Sequence, residues 1–555
     1  MSDTIEGPAA IASAPPLGGL LDRLAARVLP KDPIVLKELR IALRTPLFVR
    51  FLYLSTALGG LVTLVAGAQT ALETSPADAG RLVFHAYFCI ALLATSLAAP
   101  VFGATSIALE RETLTLDSLL LTRLSAARIV RGKFVAIALS LALLLVASSP
   151  IAAVAFLFGG VGPLEIALSF VAVLLASLPA IAIGMALSSR TASTRVTLLG
   201  TLLVWLPVST LGLLGLWAIG SDLRRLGTDD GPFWFARYLP AHLDDPRVVA
   251  ALLVAPLFVI GMITWFGLAI STSGLLPATH DRARPFRRWL LAASIVTPVV
   301  ALLCIWPFTR TPFGDGVENL AEGMLAVTVL PAILGLVGAF ALVAEPLVRP
   351  RVVQAADRRR HGIVRAFSAT FGAGAAPATR FLFVAFGLSA ISVTAVYAIV
   401  HAIAAGGVEL DALLPPLVPL AVCTVSAAFA ASLGMAVRAT TQSPWLGRGA
   451  LVAVTVGLVL VLPVFWALAT GDDPDDWMRD PMSLGLAWPG ISIVAAADAI
   501  DGTRRSLAPL VVPFVSYIGL TAILALVTER RAAKATEADR RQRARVLASA
   551  EHTSP

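Results

Sequence analysis

An all-α polytopic bundle of about twelve membrane-spanning helices is the fold this sequence predicts, and three observations predict it. Hydrophobic residues make up 57% of the chain and charged residues only 14%, against about 25% charged in a soluble domain. Mean hydropathy is +0.84. Apolar segments near the ~20 residues needed to cross a bilayer recur along the whole length, and basic residues crowd the alternate loops between them.

The elements follow in order. Residues 1–30 are rich in Ala and Pro and read as a flexible cytosolic tail; Asp3, Glu6 and Asp22 leave no apolar core for a cleavable signal peptide. Lys31-Asp32-Pro33 then suits a helix start, with proline in the first turn. In the helix it opens, Leu36, Leu39, Leu43 and Leu47 recur every three or four residues beside a basic stripe of Lys37, Arg40 and Arg44. That pattern predicts an interfacial helix lying on an anionic leaflet. Spans are expected at 47–68, 82–107, 134–158, 164–187, 197–220, 248–276, 289–308, 323–346, 381–405, 412–437, 449–470 and 507–528, with a charged cytosolic tail at 529–555. Twelve crossings put both termini on one side. About three quarters of the 43 Lys and Arg then fall in the loops of that side, which the positive-inside rule makes cytosolic, while more than half of the 35 acids fall opposite. Net charge +8 is accordingly attributed to basic cytosolic loops and not to nucleic-acid binding.

Two long exterior loops, 221–247 and 471–489, mix acids with aromatics; Trp234, Phe235, Tyr238, Trp477 and Trp488 suit the headgroup belt. Asp472, Asp473, Asp475 and Asp476 lack the spacing and the glutamate of a calcium loop. Residues 490–500 are expected to form a re-entrant or interfacial helix. Cys89, Cys304 and Cys423 stand singly in apolar runs, so they are expected to be small buried residues with no role in a disulfide or metal site.

The longest charged interruption of the first two hundred residues is 108–133, ALERETLTLDSLLLTRLSAARIVRGK. Glu110, Arg111 and Glu112 close one span; Arg128, Arg131 and Lys133 open the next. Between them Thr115 can cap a short helix whose apolar face is Leu116, Leu119 and Leu120, and Ser125 can cap the following one. This stretch resembles the segment between the second and third spans of type-2 ABC transporter permeases, in which E-R-E is followed by T-L-x-x-L-L, T, L-S and I-V-x-G-K. The matching positions are Glu110-Arg111-Glu112, Thr115-Leu116, Leu119-Leu120, Thr122, Leu124-Ser125, Ile129-Val130 and Gly132-Lys133; Leu114 replaces the usual glycine and Arg123 the usual proline. Pro33, Lys37, Glu38, Leu39 and Arg40 are similar to the P-x-x-x-K-E-L-R element that precedes the first span in that family. The resemblance implies a permease subunit of a bacterial exporter in the cytoplasmic membrane, working by alternating access. The short helix would be its coupling helix, docking on a separate P-loop ATPase subunit that binds ATP and Mg.

Glu110, Arg111 and Glu112 would anchor that helix, and Leu116, Leu119 and Leu120 would form its docking face. A first six-span half, 31–276, and a divergent second half, 277–528, are expected, since Gly184-Met185-Ala186 with Ser188 and Arg190 is similar to Gly434-Met435-Ala436 with Arg438 at a separation of 250 residues. One chain with both halves would take two ATPase subunits; otherwise a second permease chain completes the assembly.

The chemistry excluded is equally informative. Gly132-Lys133 lacks the rest of a phosphate loop, and no nucleophile, zinc or dithiol motif is present, so no enzymatic activity, bound cofactor or metal is expected in this chain. Ionisable groups inside the spans are few: Arg50, His85, His401 and Glu345. Gradient-driven carriers need such groups at membrane depth. Both histidines are expected to be hydrogen-bonded packing residues. The alternative is a gradient-driven transporter of major-facilitator type, for which Asp281-Arg282 with Arg284, Arg287 and Arg288 gives a partial D-R-x-x-R-R match.

Overall fold

Apolar runs too long for any soluble helix dictate the architecture, because in a bilayer only a helix satisfies its own backbone without water. The computed structural model describes residues 33–70, 75–121, 124–224, 231–309, 316–359, 361–405, 407, 410–470, 487–500 and 507–553. Among the described residues the regular structure is helical throughout and no strand occurs. Twelve helices among the described residues are long and apolar enough to cross a membrane: Phe48–Val65, Pro76–Glu112, Ala126–Phe158, Pro163–Ser188, Thr194–Gly220, Pro246–Leu275, Arg284–Pro307, Gly323–Leu342, Ala375–Ile403, Leu414–Thr441, Pro444–Phe465 and Ala508–Val546. Each overlays one expected span. The protein is an all-α polytopic membrane bundle.

The chain divides into two compact units, Met1–Trp205 and Leu206–Pro555, the division falling inside the helix Thr194–Arg224. The six-plus-six reading instead places its boundary at 276.

In the first unit the helices Pro76–Glu112 and Pro163–Ser188 pack most intimately, because small residues let their backbones meet. A Cβ on Gly184 would stand 2.6 Å from the Pro100 carbonyl oxygen, and one on Gly103 2.4 Å from that of Ile181. The buried Ser188 hydroxyl closes this crossing: it donates to the Ala104 carbonyl (2.6 Å) and accepts from the amides of Ala108 (2.7 Å) and Ile107 (3.1 Å). At the opposite end Tyr87, Phe88 and Phe170 form an edge-to-face cluster. The helix Pro33–Arg44 lies along Ala126–Phe158, covering Ile34, Val35 and Leu39 and leaving Lys37, Arg40 and Arg44 exposed.

The second unit is built around Leu410–Thr441, a largely buried helix flanked by Leu330–Leu342, Pro444–Val456, Ile491–Ile500 and Val511–Thr553. Trp289 anchors a neighbouring layer, its indole donating to the Met262 carbonyl (3.0 Å) and packing on Phe266 and Phe286. The expected helix at 490–500 is present as Ile491–Ile500, with Ile491 and Ala495 buried. Two spans contain π turns, Ala250–Val254 and Gly457–Val461.

Two sequence expectations are corrected. Trp234 and Tyr238 are buried against Val248, Leu216 and Ile219 and so face the chain where outward-facing anchors were expected; their rings pack the short loop helix Phe235–Ala241. Cys89 is exposed and Cys304 half-buried, and of the three only Cys423 is buried. A period-3.6 helix in lipid presents some thiols outward, which single apolar runs do not reveal. The acidic run 472–476, Trp477 and the tail 1–30 lie outside the described residues.

Candidate functional site

At one end of the first unit, three segments far apart in sequence converge on Lys133. The helix Pro76–Glu112 terminates there in a Schellman motif: the Leu114 amide donates to the Arg111 carbonyl (3.2 Å) and the Thr115 amide to the Glu110 carbonyl (2.9 Å). That geometry puts Leu114 at φ +57°, in the left-handed region. Glycine adopts this conformation without strain, which is the physical reason for a glycine at this position in the family pattern. Here the leucine is held in it and is 81% exposed.

The charged triplet that precedes this turn reaches three different partners. Glu110 Oε1 accepts from Lys133 Nζ at 2.8 Å, and the same ammonium lies 3.1 Å from Glu38 Oε1 on the N-terminal helix. Lys133 is 1% exposed, so its charge is compensated entirely by these two acids. Arg111 forks onto the carbonyls of Thr191 and Ser189 (2.9 Å to the latter), satisfying the open C-terminal end of Pro163–Ser188. Glu112 Oε1 accepts from the Thr194 amide (2.6 Å), the first residue of Thr194–Arg224, where an acid complements the positive end of the helix dipole. Gly132 belongs to the same node. A Cβ there would stand 2.7 Å from Ile34 Cγ2, so the missing side chain admits the N-terminal helix that brings Glu38 to Lys133.

The short helix is present at Leu116–Leu120, and Ser125 caps the next, accepting from the Arg128 amide (3.3 Å). Two details differ from expectation. Thr115 turns its hydroxyl back to the Glu110 carbonyl (3.2 Å) and does not cap the short helix. Leu116, assigned to the docking face, is 5% exposed and packs within the chain, because one turn of helix following a tight reversal cannot present all its leucines outward. The side chains of Leu119 and Leu120 lie outside the described residues. Among the described residues that flank the short helix, Leu114 and Leu121, the latter 88% exposed, direct apolar side chains outward.

A second acid–base node, not anticipated as such, occurs in the second unit. Arg287 lies 3.2 Å from Asp281 and 3.4 Å from Glu345, and Glu345 accepts from the Gly374 amide (2.9 Å). Glu345 follows the last helical residue, Leu342, and burial raises its pKa, with Arg287 opposing. The signal available in sequence was an acid placed just past a span, as Glu110 is. The loop it ties down folds as two short helices, Arg351–Arg359 and Gly362–Phe371.

No family model matches this chain, and no curated protein matches it.

Lys133 is enclosed by the carboxylates of Glu38 and Glu110, and among the described residues no group of three or more His, Cys, Asp and Glu side chains is placed to hold a metal ion. His401 and Tyr397 are a buried polar pair of the second unit: their rings are 6.0 Å apart, and both imidazole nitrogens and the phenol oxygen lack a hydrogen-bond partner among the described residues. The hydrogen bond expected of His401 is not made to any described residue.

Proposed function

We propose that this chain is the membrane-spanning subunit of an ATP-driven exporter of the type-2 ABC class, set in a bacterial cytoplasmic membrane with both termini cytosolic. The observation that carries the proposal is the convergence of Glu38, Glu110 and Lys133, one from each of the three sequence elements that resemble that family, on a single buried node. The node fixes the root of the short helix Leu116–Leu120, and Arg111 and Glu112 link that root to the end of Pro163–Ser188 and the start of Thr194–Arg224. A partner pressing on the short helix would thus move several spans together, as alternating access requires. ATP and Mg would be held by the separate P-loop ATPase, since the chain's own Gly-Lys pair is committed to packing.

Co-purification of the full chain with a P-loop ATPase subunit, sought first in the neighbouring reading frame, tests the proposal. Leu114→Asp with Leu121→Asp should abolish association while the subunit still inserts, because each leaves an outward apolar contact unmade, roughly 1.5–3 kcal/mol apiece. Undiminished binding and transport by that variant would remove the short helix from the coupling role. The mass of the solubilised complex then separates one chain with two ATPases from two permease chains.

One observation favours the second reading, a gradient-driven carrier of major-facilitator type. His401 is a buried titratable residue inside a span with no hydrogen-bond partner among the described residues, the kind of group a coupling proton uses. Uptake driven by an imposed proton gradient in vesicles lacking any ATPase, and lost in His401→Leu, would select it.

A further inference from the structure

Among the described residues the buried cations Lys133 and Arg287 each lie between two acids. The turn joining Leu410–Thr441 to Pro444–Val456 is different. Arg438, half-buried in the last turn of the first helix, has Nε and Nη1 shielded from solvent with no hydrogen-bond partner among the described residues. Arg448, in the second turn of the next helix, donates Nε to the Phe340 carbonyl (3.1 Å). Its guanidinium carbon stands 5.1 Å from the centroid of the Phe340 ring and 5.5 Å from that of Trp445. The two helices meet closely at this turn: a Cβ on Gly447, the residue before Arg448, would lie 2.8 Å from Cβ of Arg438. Among the described residues neither pairs with a carboxylate.

A guanidinium remains protonated at any physiological pH, so shielding one without a counter-charge is costly and calls for an anion. The surroundings specify which kind. The site lies at the junction of two spans, where a helix end meets the polar layer of a bilayer, and Trp445 projects outward there with 77% of its surface exposed, as an interfacial tryptophan does. Planar forks of donors match phosphate oxygens, and basic positions between spans are where anionic headgroups are held.

We propose that Arg438 and Arg448 form a binding site for a phosphate oxyanion, with Trp445 flanking it. The phosphodiester of an anionic membrane lipid is one source of that chemistry and free phosphate is the other.

The full chain, delipidated in a neutral detergent, is titrated with dioleoylphosphatidylglycerol, with dioleoylphosphatidylcholine and with inorganic phosphate, and followed by native mass spectrometry and thermal unfolding. The expected result is one tightly retained phosphatidylglycerol that raises the unfolding temperature, with Arg438→Gln plus Arg448→Gln binding it about tenfold more weakly or worse. Stabilisation by inorganic phosphate, lost in the same variant, also supports the site and makes the anion a soluble one. The proposal is overturned if neither anion binds, or if the double variant retains the lipid with unchanged affinity. Should the double variant not fold, Arg448→Gln alone decides: its side chain is half-buried at the turn, and undiminished lipid affinity there overturns the proposal equally.

Discussion

Lys133 donates to Glu110 across 23 positions of sequence at 2.8 Å, and it does so with 1% of its side chain exposed. Such an ammonium is stable only while its acids remain. Lys133→Met should therefore cost about 3–5 kcal/mol by leaving Glu38 and Glu110 uncompensated in a shielded place. Adding Glu38→Gln and Glu110→Gln to it should restore much of the loss. Thermal unfolding of the two variants in detergent checks this; equal stability of Lys133→Met and wild type would mean water reaches the node.

Leu114 offers a gain. Its left-handed backbone conformation costs a leucine about 1–2 kcal/mol that glycine is spared, partly offset by the greater freedom of glycine in the unfolded chain. Leu114→Gly should stabilise the protein by up to about 1 kcal/mol, and Leu114→Val, β-branched, should destabilise it. A denaturation midpoint moving the other way for the glycine variant would show that the Schellman turn is not retained.

Gly132→Leu should displace the N-terminal helix, since even a Cβ meets Ile34 at 2.7 Å. Faster proteolysis or amide exchange across 33–44 is the readout, and Ile34→Ala should partly rescue it. The bundle beyond should be unaffected, so global unfolding of Gly132→Leu would count against this local account.

Sidedness is checked by single cysteines, introduced after Cys89, which is exposed, has been replaced. Thr113, Thr279, Ala355 and Gln442 are exposed at the basic ends of their spans, and Ser75 and Asp244 are exposed at opposite ends. An impermeant thiol reagent applied to intact cells should modify only the last two. Labelling at Thr279 from outside would overturn the twelve-crossing order.

The positions of the spans were legible because a membrane helix announces itself by length and hydropathy alone, and every expected span has its helix. Lys133, Glu110 and Glu38 were each singled out by sequence, but their meeting was not, since no local pattern reports a contact between residues 23 and 95 positions apart. Leu116 was assigned to the wrong side of its helix for a related reason. Five residues are too few for periodicity to fix a face, and the Schellman reversal that sets the helix's direction depends on Leu114 adopting a conformation leucine seldom takes. Trp234 and Tyr238 were misplaced because an aromatic near a membrane end has two uses, as a headgroup anchor and as the core of a small loop, and composition does not separate them.

The helix Val511–Thr553 runs unbroken for 43 residues. Its last proline is Pro513, and beyond Ala532 its side chains are largely exposed. Arg380 braces it at Glu529 (2.7 Å), and Glu537 with Arg541 supports the outer part. At 1.5 Å per residue the stretch past Glu529 is about 36 Å long, so it behaves as a cantilever whose root is set in the bundle. A tilt of about 10° at that root sweeps the free end through about 6 Å, several times the shift of the packed helices beneath it. Small rearrangements inside the second unit are thereby converted into large excursions of its outermost residues, and a fluorophore near Val546 would register movements that the bundle itself scarcely displays.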